Sequence, residues 1–374
     1  MQGEILKFLK LKIIYLSNHS SSGNTFFLSL IDGHKNIINL PGYVNLNFIF
    51  EKNINFSNTL EKFKENNPFF FDTSRMNIST ENHQGLFYLG ENKDEHLFFD
   101  EKKFNNYFFS FSKNLEPTKK NILFAIYYAY SKTINREIDP LKYLIIYSYN
   151  HENTLSFLKE VNYDHLIVLT RDLIKNYASY KKKVLTKANL RKKNYLDLFD
   201  LNYLYNTSKN FFPLIRKKKT FTYLRIEDLH TNPELYMKKF CKLLNINFDL
   251  ILLKSSFNNK KYNGHSWDHS TNNFKPIYGF NKNYHYRSDK IEMVEKKHII
   301  FISYFFSLNL NYIKKCSLFN HISNFFSLFL LTTNEKKMTN SKDLILKIIK
   351  LRIKYVLVFI YMYFNKNYIK KSKL

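Results

Sequence analysis

Two groups of side chains in this sequence have the types and spacing to hold an anion. The first is the loop Ser20-Ser21-Ser22-Gly23-Asn24-Thr25, and the second is Arg171 with Ser179 eight residues beyond it. The loop follows an apolar run from Ile13 to Leu16 and precedes Phe26, Phe27, Leu30 and Ile31 at helical spacing, so it reads as strand, loop, helix. The first turn of such a helix presents N–H groups without helical partners, with the helix dipole behind them. Ser22, Asn24 and Thr25 can add side-chain hydrogen bonds. Gly23 allows a ligand to approach the backbone closely. The Gly-Lys-Ser/Thr ending that grips nucleoside triphosphates is absent, which disfavours an ATP or GTP hydrolase. An ordinary helix cap is the plain alternative.

Arg171 follows Leu166 to Thr170, an apolar run suited to a central parallel strand, and so stands at the edge where open α/β sheets bind ligands. If 173–183 forms the following helix, Ser179 lies about two turns along it and faces the same site. An arginine fork and a hydroxyl together suit a phosphate monoester. The bland reading is an Arg171-Asp172 surface pair that caps a helix. Taken together, the two groups describe a protein that holds a nucleotide by phosphates at two separate places.

At this point the residues resemble a known family. Ser22-Gly23-Asn24-Thr25 followed by Phe26-Phe27-Leu28, with Leu30-Ile31-Asp32-Gly33-His34 and Leu40-Pro41-Gly42, resembles the 5′-phosphosulfate loop of the sulfotransferases that use 3′-phosphoadenylyl sulfate. Arg171-Asp172 with Ser179 resembles their 3′-phosphate motif. Tyr223-Leu224-Arg225-Ile226-Glu227-Asp228-Leu229 with Asn232-Pro233-Glu234 is similar to their late strand-and-helix signature. Asn263-Gly264 with Trp267, then Gly279-Phe280, resembles the loop that closes over the nucleotide. These matches keep the family's order over roughly residues 10 to 290.

The resemblance implies an α/β fold with a central, mostly parallel sheet flanked by helices in three layers. It also implies transfer of a sulfuryl group to a hydroxyl or amine acceptor such as a small molecule, glycan or lipid, without a metal. Ser21, Ser22, Gly23, Asn24, Thr25 and Phe26 would line the 5′ end of the donor, and Arg171 and Ser179 would hold the 3′-phosphate. Lys261, Asn263 and Gly264 would be lid contacts, with Trp267 supporting the loop. One departure matters. The family ordinarily carries a basic residue where this chain has Ser21, and that cation neutralises charge on the oxygen between sulfate and phosphate. Such a donor is worth several kcal/mol of barrier, on the order of an oxyanion-hole contact. Three outcomes stay open: His19, Lys12 or another cation takes over, transfer is slow, or the chain binds the nucleotide without turnover.

Transfer also needs a base within hydrogen-bond reach of the acceptor hydroxyl. Lys142 to Tyr149 reads as another buried strand, and His151 just beyond it lies close to the family's position for a catalytic histidine. A surface histidine capping the next helix is the alternative. His96, among the acidic residues Asp94, Glu95, Asp100 and Glu101, is the runner-up.

The elements that must position these groups are legible as strand signals alternating with helical ones. The simplest division is an α/β domain over 1–300 and a helical C-terminal extension over 301–374. With 8 Gly and 7 Pro there is no collagenous, mucin-like or flexible linker region. Cys241 and Cys316, far apart, support neither a disulfide framework nor a zinc site, and reduced thiols in the cytoplasm are the expectation. The N-terminal segment reads as the first strand and not as a signal peptide or anchor. A net charge of +27 is consistent with nucleic acid or an anionic membrane. No zinc finger, homeodomain or RNP motif supports specific nucleic-acid binding. Abundant Lys, Asn, Ile, Phe and Tyr with scarce Gly is also what an AT-rich coding sequence produces. The run from Tyr355 to Phe364 is too short to span a bilayer. With its flanking lysines it reads either as lying on an anionic membrane, peripherally at the inner surface, or as packing on the core or another subunit. A basic membrane-surface binding protein is therefore the competing class.

Overall fold

The structure, a computed structural model, describes residues 2–18, 23–41, 44–51, 53–76, 86, 89–148, 160–179, 181, 221–264, 291–309, 312 and 318–330. Further along it describes 346, 348–350, 352–354, 356–357, 359–360 and 371–373. The strands are β1 (Lys12–Asn18), β2 (Ile37–Asn39), β3 (Tyr143–Ser148), β4 (His165–Thr170), β5 (Phe221–Arg225), β6 (Ser256–Phe257), β7 (Lys260–Lys261) and β8 (Lys371–Lys373). The first helices are α1 (Gln2–Phe8), α2 (Asn24–Ile31), α3 (Phe56–Asn66), α4 (Glu101–Ser112), α5 (Lys119–Thr133) and α6 (173–179). They are followed by α7 (Ile226–Thr231), α8 (Pro233–Leu244), α9 (Met293–Asn309) and α10 (Leu318–Ser327).

Six strands form one sheet in the order β2-β3-β1-β4-β5-β8, and every neighbouring pair is parallel. This is the expected α/β architecture. Residues 13–17 of β1 and 166–170 of β4 are all buried, whichever way successive side chains point, so both faces of the sheet are covered. One cover is α5, whose residues from Ile122 to Ser131 are buried without interruption. A helix that is apolar all round belongs inside a fold. It lies between the sheet, where Tyr127 Oη donates to Ile145 O (2.7 Å), and an aromatic cluster in which Phe8 meets Phe111, Phe124 and Tyr128 edge-on. Phe27 of α2 packs edge-on against Phe240 of α8 at 5.4 Å.

Register aligns the strand ends. Ser17 on β1 stands opposite Ser148 on β3 and Val168 on β4, and Thr170 on β4 stands opposite Arg225 on β5. Four strands therefore deliver the chain to one edge. Between β3 and β4 the chain passes from one side of β1 to the other, which makes the C-terminal end of β1 the switch point where open α/β sheets form their binding crevice.

At its other end α2 is fastened to the antiparallel β6–β7 hairpin. The buried Asp32 carboxylate accepts from the N–H of Asn258 in the hairpin turn (2.7 Å), and Ser29 and Ser255 share a hydroxyl hydrogen bond. Burial pushes the Asp32 carboxyl from 3.8 up to about 7, against the opposing pull of the Asn258 N–H and Arg136. The folded protein thus keeps a proton that the unfolded chain has already lost. The resulting stabilisation is full below about pH 4 and is lost as pH rises toward 7. Asp32→Asn keeps an acceptor for Asn258 and cannot ionise. At pH 8 it is expected to be more stable than the parent by about 2–4 kcal/mol, and at pH 4 to match it within about 1 kcal/mol. Urea unfolding at the two pH values checks this, and an equal gap at both would refute it.

Candidate functional site

The loop after β1 enters α2 through Gly23, whose φ of 87° and ψ of 23° lie in the left-handed region. A side chain is excluded there twice over, because a Cβ would also come within 2.7 Å of the Ile226 side chain at the start of α7. The first helical bond runs from Phe27 N–H to Gly23 O (3.0 Å), leaving the earlier N–H groups of α2 outside the helical ladder. Asn24 follows, 4% exposed, and both its amide oxygen and its amide nitrogen lack a hydrogen-bond partner among the described residues. The Ser17 hydroxyl, fully buried at the end of β1, is in the same state. Native interiors rarely tolerate such groups, and each costs about 1–3 kcal/mol.

Arg171 is delivered by β4 to this edge and is buried, 3% exposed. Beside it lies the buried imidazole of His230 on α7, which stacks face to face on Phe26 of α2 with ring centroids 4.5 Å apart. Burial, reinforced by the Arg171 charge, lowers the His230 pKa to about 4. The ring is therefore neutral at ordinary pH, and the nearby positive charge remains that of Arg171. Ser179 sits in the second turn of α6, and its buried hydroxyl also lacks a partner among the described residues.

Behind these groups stands a polar brace. One Glu227 oxygen accepts from the backbone N–H of Asp172 (2.9 Å), and the other accepts from Tyr312 Oη (3.2 Å). Tyr312 Oη also lies 2.9 Å from Thr170 Oγ1, and the Arg225 guanidinium covers its ring at 4.5 Å. Burial, then the Glu227 charge, holds the Tyr312 phenol well above its usual range, so it stays protonated and donates. A second tie joins α9 to α6: Glu295, 2% exposed, accepts from Lys181 Nζ (2.7 and 2.9 Å) and from Tyr177 Oη (3.3 Å). Residues C-terminal to 290 thus hold both the strand end that carries Arg171 and the helix that carries Ser179.

The structure brings Gly23 and Phe26 against α7, with Arg171 close to His230 there and Asn24 buried in the first turn of α2. Thr25 lies half-buried in the same helical turn. Lys261, Asn263 and Gly264 belong to the second strand of the hairpin and the residues after it, a stretch that pairs with residues 89–91. Lys261 pairs there with Glu91, and Asn263 Nδ2 donates to Gly90 O (2.8 Å). His96 lies half-buried on the segment facing that hairpin, next to Glu95, whose carboxylate pairs with Lys260 (2.7 Å). Ser21, Ser22, His19, His151 and Trp267 lie outside the described residues. The sequence reading missed the roles of His230 and Tyr312. His230 directly follows a quoted motif and could have been found there, whereas Tyr312 is 85 residues from Glu227 and carries no local signal.

No family model and no curated protein sequence matches the chain. Among solved structures it is similar to the sulfotransferase domain from the curacin biosynthetic pathway. That match has 18% identity and a TM-score of 0.44, and it covers 78% of this chain and 96% of that one. It is also similar to the sulfotransferase domain from the Synechococcus PCC 7002 olefin synthase, with 13% identity, a TM-score of 0.41 and coverage of 84% and 94%.

The brace can be dissected by mutation. Tyr312→Phe removes one donor and is expected to cost about 1–2 kcal/mol. Glu227→Ala, which strands the Asp172 N–H, should cost about 2–4 kcal/mol. Because both act on one network, the double variant should lose less than the sum by at least about 0.5 kcal/mol in denaturant titrations. Strict additivity would show that the two groups are energetically independent.

Proposed function

We propose that the protein is a sulfotransferase that moves the sulfuryl group of 3′-phosphoadenylyl sulfate to a hydroxyl-bearing acceptor. The observation that carries this reading is the pair of buried polar groups without partners among the described residues, the Asn24 amide and the Ser179 hydroxyl. They fall at the two places where the sequence motifs call for the 5′- and 3′-phosphates. A bound phosphate at each would satisfy them, with Arg171 supplying the charge at the 3′ end. In this reading the first turn of α2 and the Thr25 hydroxyl hold the 5′ end, and Gly23 keeps the approach open. The hairpin residues Lys261, Asn263 and Gly264 serve as lid contacts.

The acceptor oxygen attacks sulfur, and the bond from sulfur to the bridging oxygen breaks. 3′-Phosphoadenosine 5′-phosphate leaves, and the acceptor proton passes to a base. His151 is the proposed base and His96 the alternative. Ser148, three residues before His151, pairs with Ser17, so the chain leaves β3 from the edge that serves the loop after β1. Ser21, where the related enzymes carry a cation, favours a second reading in which the donor is bound without transfer.

Titration of 3′-phosphoadenosine 5′-phosphate by calorimetry is expected to give micromolar affinity, weakened about 100-fold in Arg171→Ala. No binding by the folded parent would overturn the assignment. With binding established, labelled donor distinguishes the two readings: transfer by the parent supports the enzyme, whereas transfer only by Ser21→Arg supports a chain that has lost turnover.

A further inference from the structure

One helix of the C-terminal stretch carries two apolar faces. The described residues between 346 and 360 are helical. On one face Ile348 and Arg352 are buried, and Val356 and Phe359 are half-buried. Phe359 stacks on Phe301 of α9 at 4.4 Å, and Arg352 Nη1 donates to Leu328 O (2.7 Å) and lies 3.0 Å from His298 Nε2. That face fastens the helix to the fold. One position further round, Leu346, Ile349, Ile353, Leu357 and Ile360 repeat at spacings of three and four, forming a single stripe that is 45% to 59% exposed. Phe329 and Leu330, which directly follow the Leu328 that Arg352 grips, are also exposed, at 71% and 54%. One position beyond the stripe, Lys350 and Lys354 are exposed. Monomeric proteins rarely present so continuous an apolar surface without a partner.

We propose that this face seats the protein on an anionic lipid surface, with the stripe at the acyl boundary and the lysine row among the headgroups. Charge selects this occupant. Between residues 344 and 360 the sequence has three Lys, one Arg and no Asp or Glu; Arg352 belongs to the packed face, whereas Lys350 and Lys354 are exposed. A second copy packed stripe to stripe would set Lys350 and Lys354 beside their own counterparts, with no carboxylate on either helix to answer them. Anionic lipid answers them directly. The stripe runs about 22 Å along the helix, parallel to the surface it would occupy. Among the described residues no helix is long and apolar enough to cross a membrane. The packed face makes the seat a fixed part of the fold, so it is presented without unfolding.

The test is sedimentation of the full chain with phosphatidylcholine vesicles, with and without roughly a third phosphatidylserine. Binding is expected to be at least about tenfold stronger to the anionic vesicles. Ile353→Glu with Leu357→Glu should lower it about tenfold, and Lys350→Glu with Lys354→Glu should do the same without touching the stripe. Phe98→Glu, at an exposed phenylalanine outside this patch (75%), should leave it unchanged. Circular dichroism and the unfolding midpoint report whether each variant is folded. Three results would overturn the proposal: no binding to either vesicle, undiminished binding by the folded stripe variant, or a dimer in light scattering that the stripe variant alone converts to monomer.

Discussion

Glu227 is a nearly buried carboxylate whose two oxygens each have a fixed task, and the arrangement of the site follows from that. One oxygen holds the peptide N–H just after Arg171, and the other holds a phenol from the C-terminal stretch. A carboxylate this deep is costly unless both oxygens are satisfied, so the three segments that meet there are held together or lost together. The strand end bearing Arg171 cannot shift without breaking a hydrogen bond to Glu227. Glu227 opens α7, the helix whose Ile226 sets the clearance at Gly23 and whose His230 stacks on Phe26. A single charged side chain thus couples the end of β4 to the start of α2, a spacing that neither segment could fix alone.

The electrostatics near Arg171 follow the same logic. His230 is kept neutral by burial and by the neighbouring guanidinium, so the stacked pair with Phe26 presents an apolar wall beside a permanent cation. Protonating that imidazole would put a second positive charge beside Arg171, which burial and repulsion both oppose. The aromatic abundance of the chain serves the fold more broadly, since edge-on rings from α1, α4 and α5 fill the space behind the sheet where smaller aliphatic side chains would leave voids.

What was legible in the sequence was local. β1, β3 and β4 could be read from apolar runs ending in small or charged residues, and α2 from periodicity, because each signal lies within about ten residues. The parallel order of the sheet followed from the alternation of those signals. The partners of the candidate site were not legible. Tyr312 meets Glu227, and Lys181 meets Glu295, across more than eighty residues each, and nothing in a tyrosine or a lysine announces a distant partner. The second apolar face of the C-terminal helix was hidden for a related reason. Ile348 and Ile349 are identical in type, and only packing on α9 distinguishes the buried one from the exposed one.

The pairing of β8 with β5 has a consequence for how the chain is made. Phe221 stands opposite Lys371, so the outer backbone of β5 waits for a partner synthesised about 150 residues later, whereas β4 is already in place. During translation that edge stays open for many seconds, a parallel template available to any extended segment nearby. The sheet is finished only when a Lys-Ser-Lys tripeptide docks. That tripeptide closes the edge with two lysines, residues that discourage a further strand from adding to it.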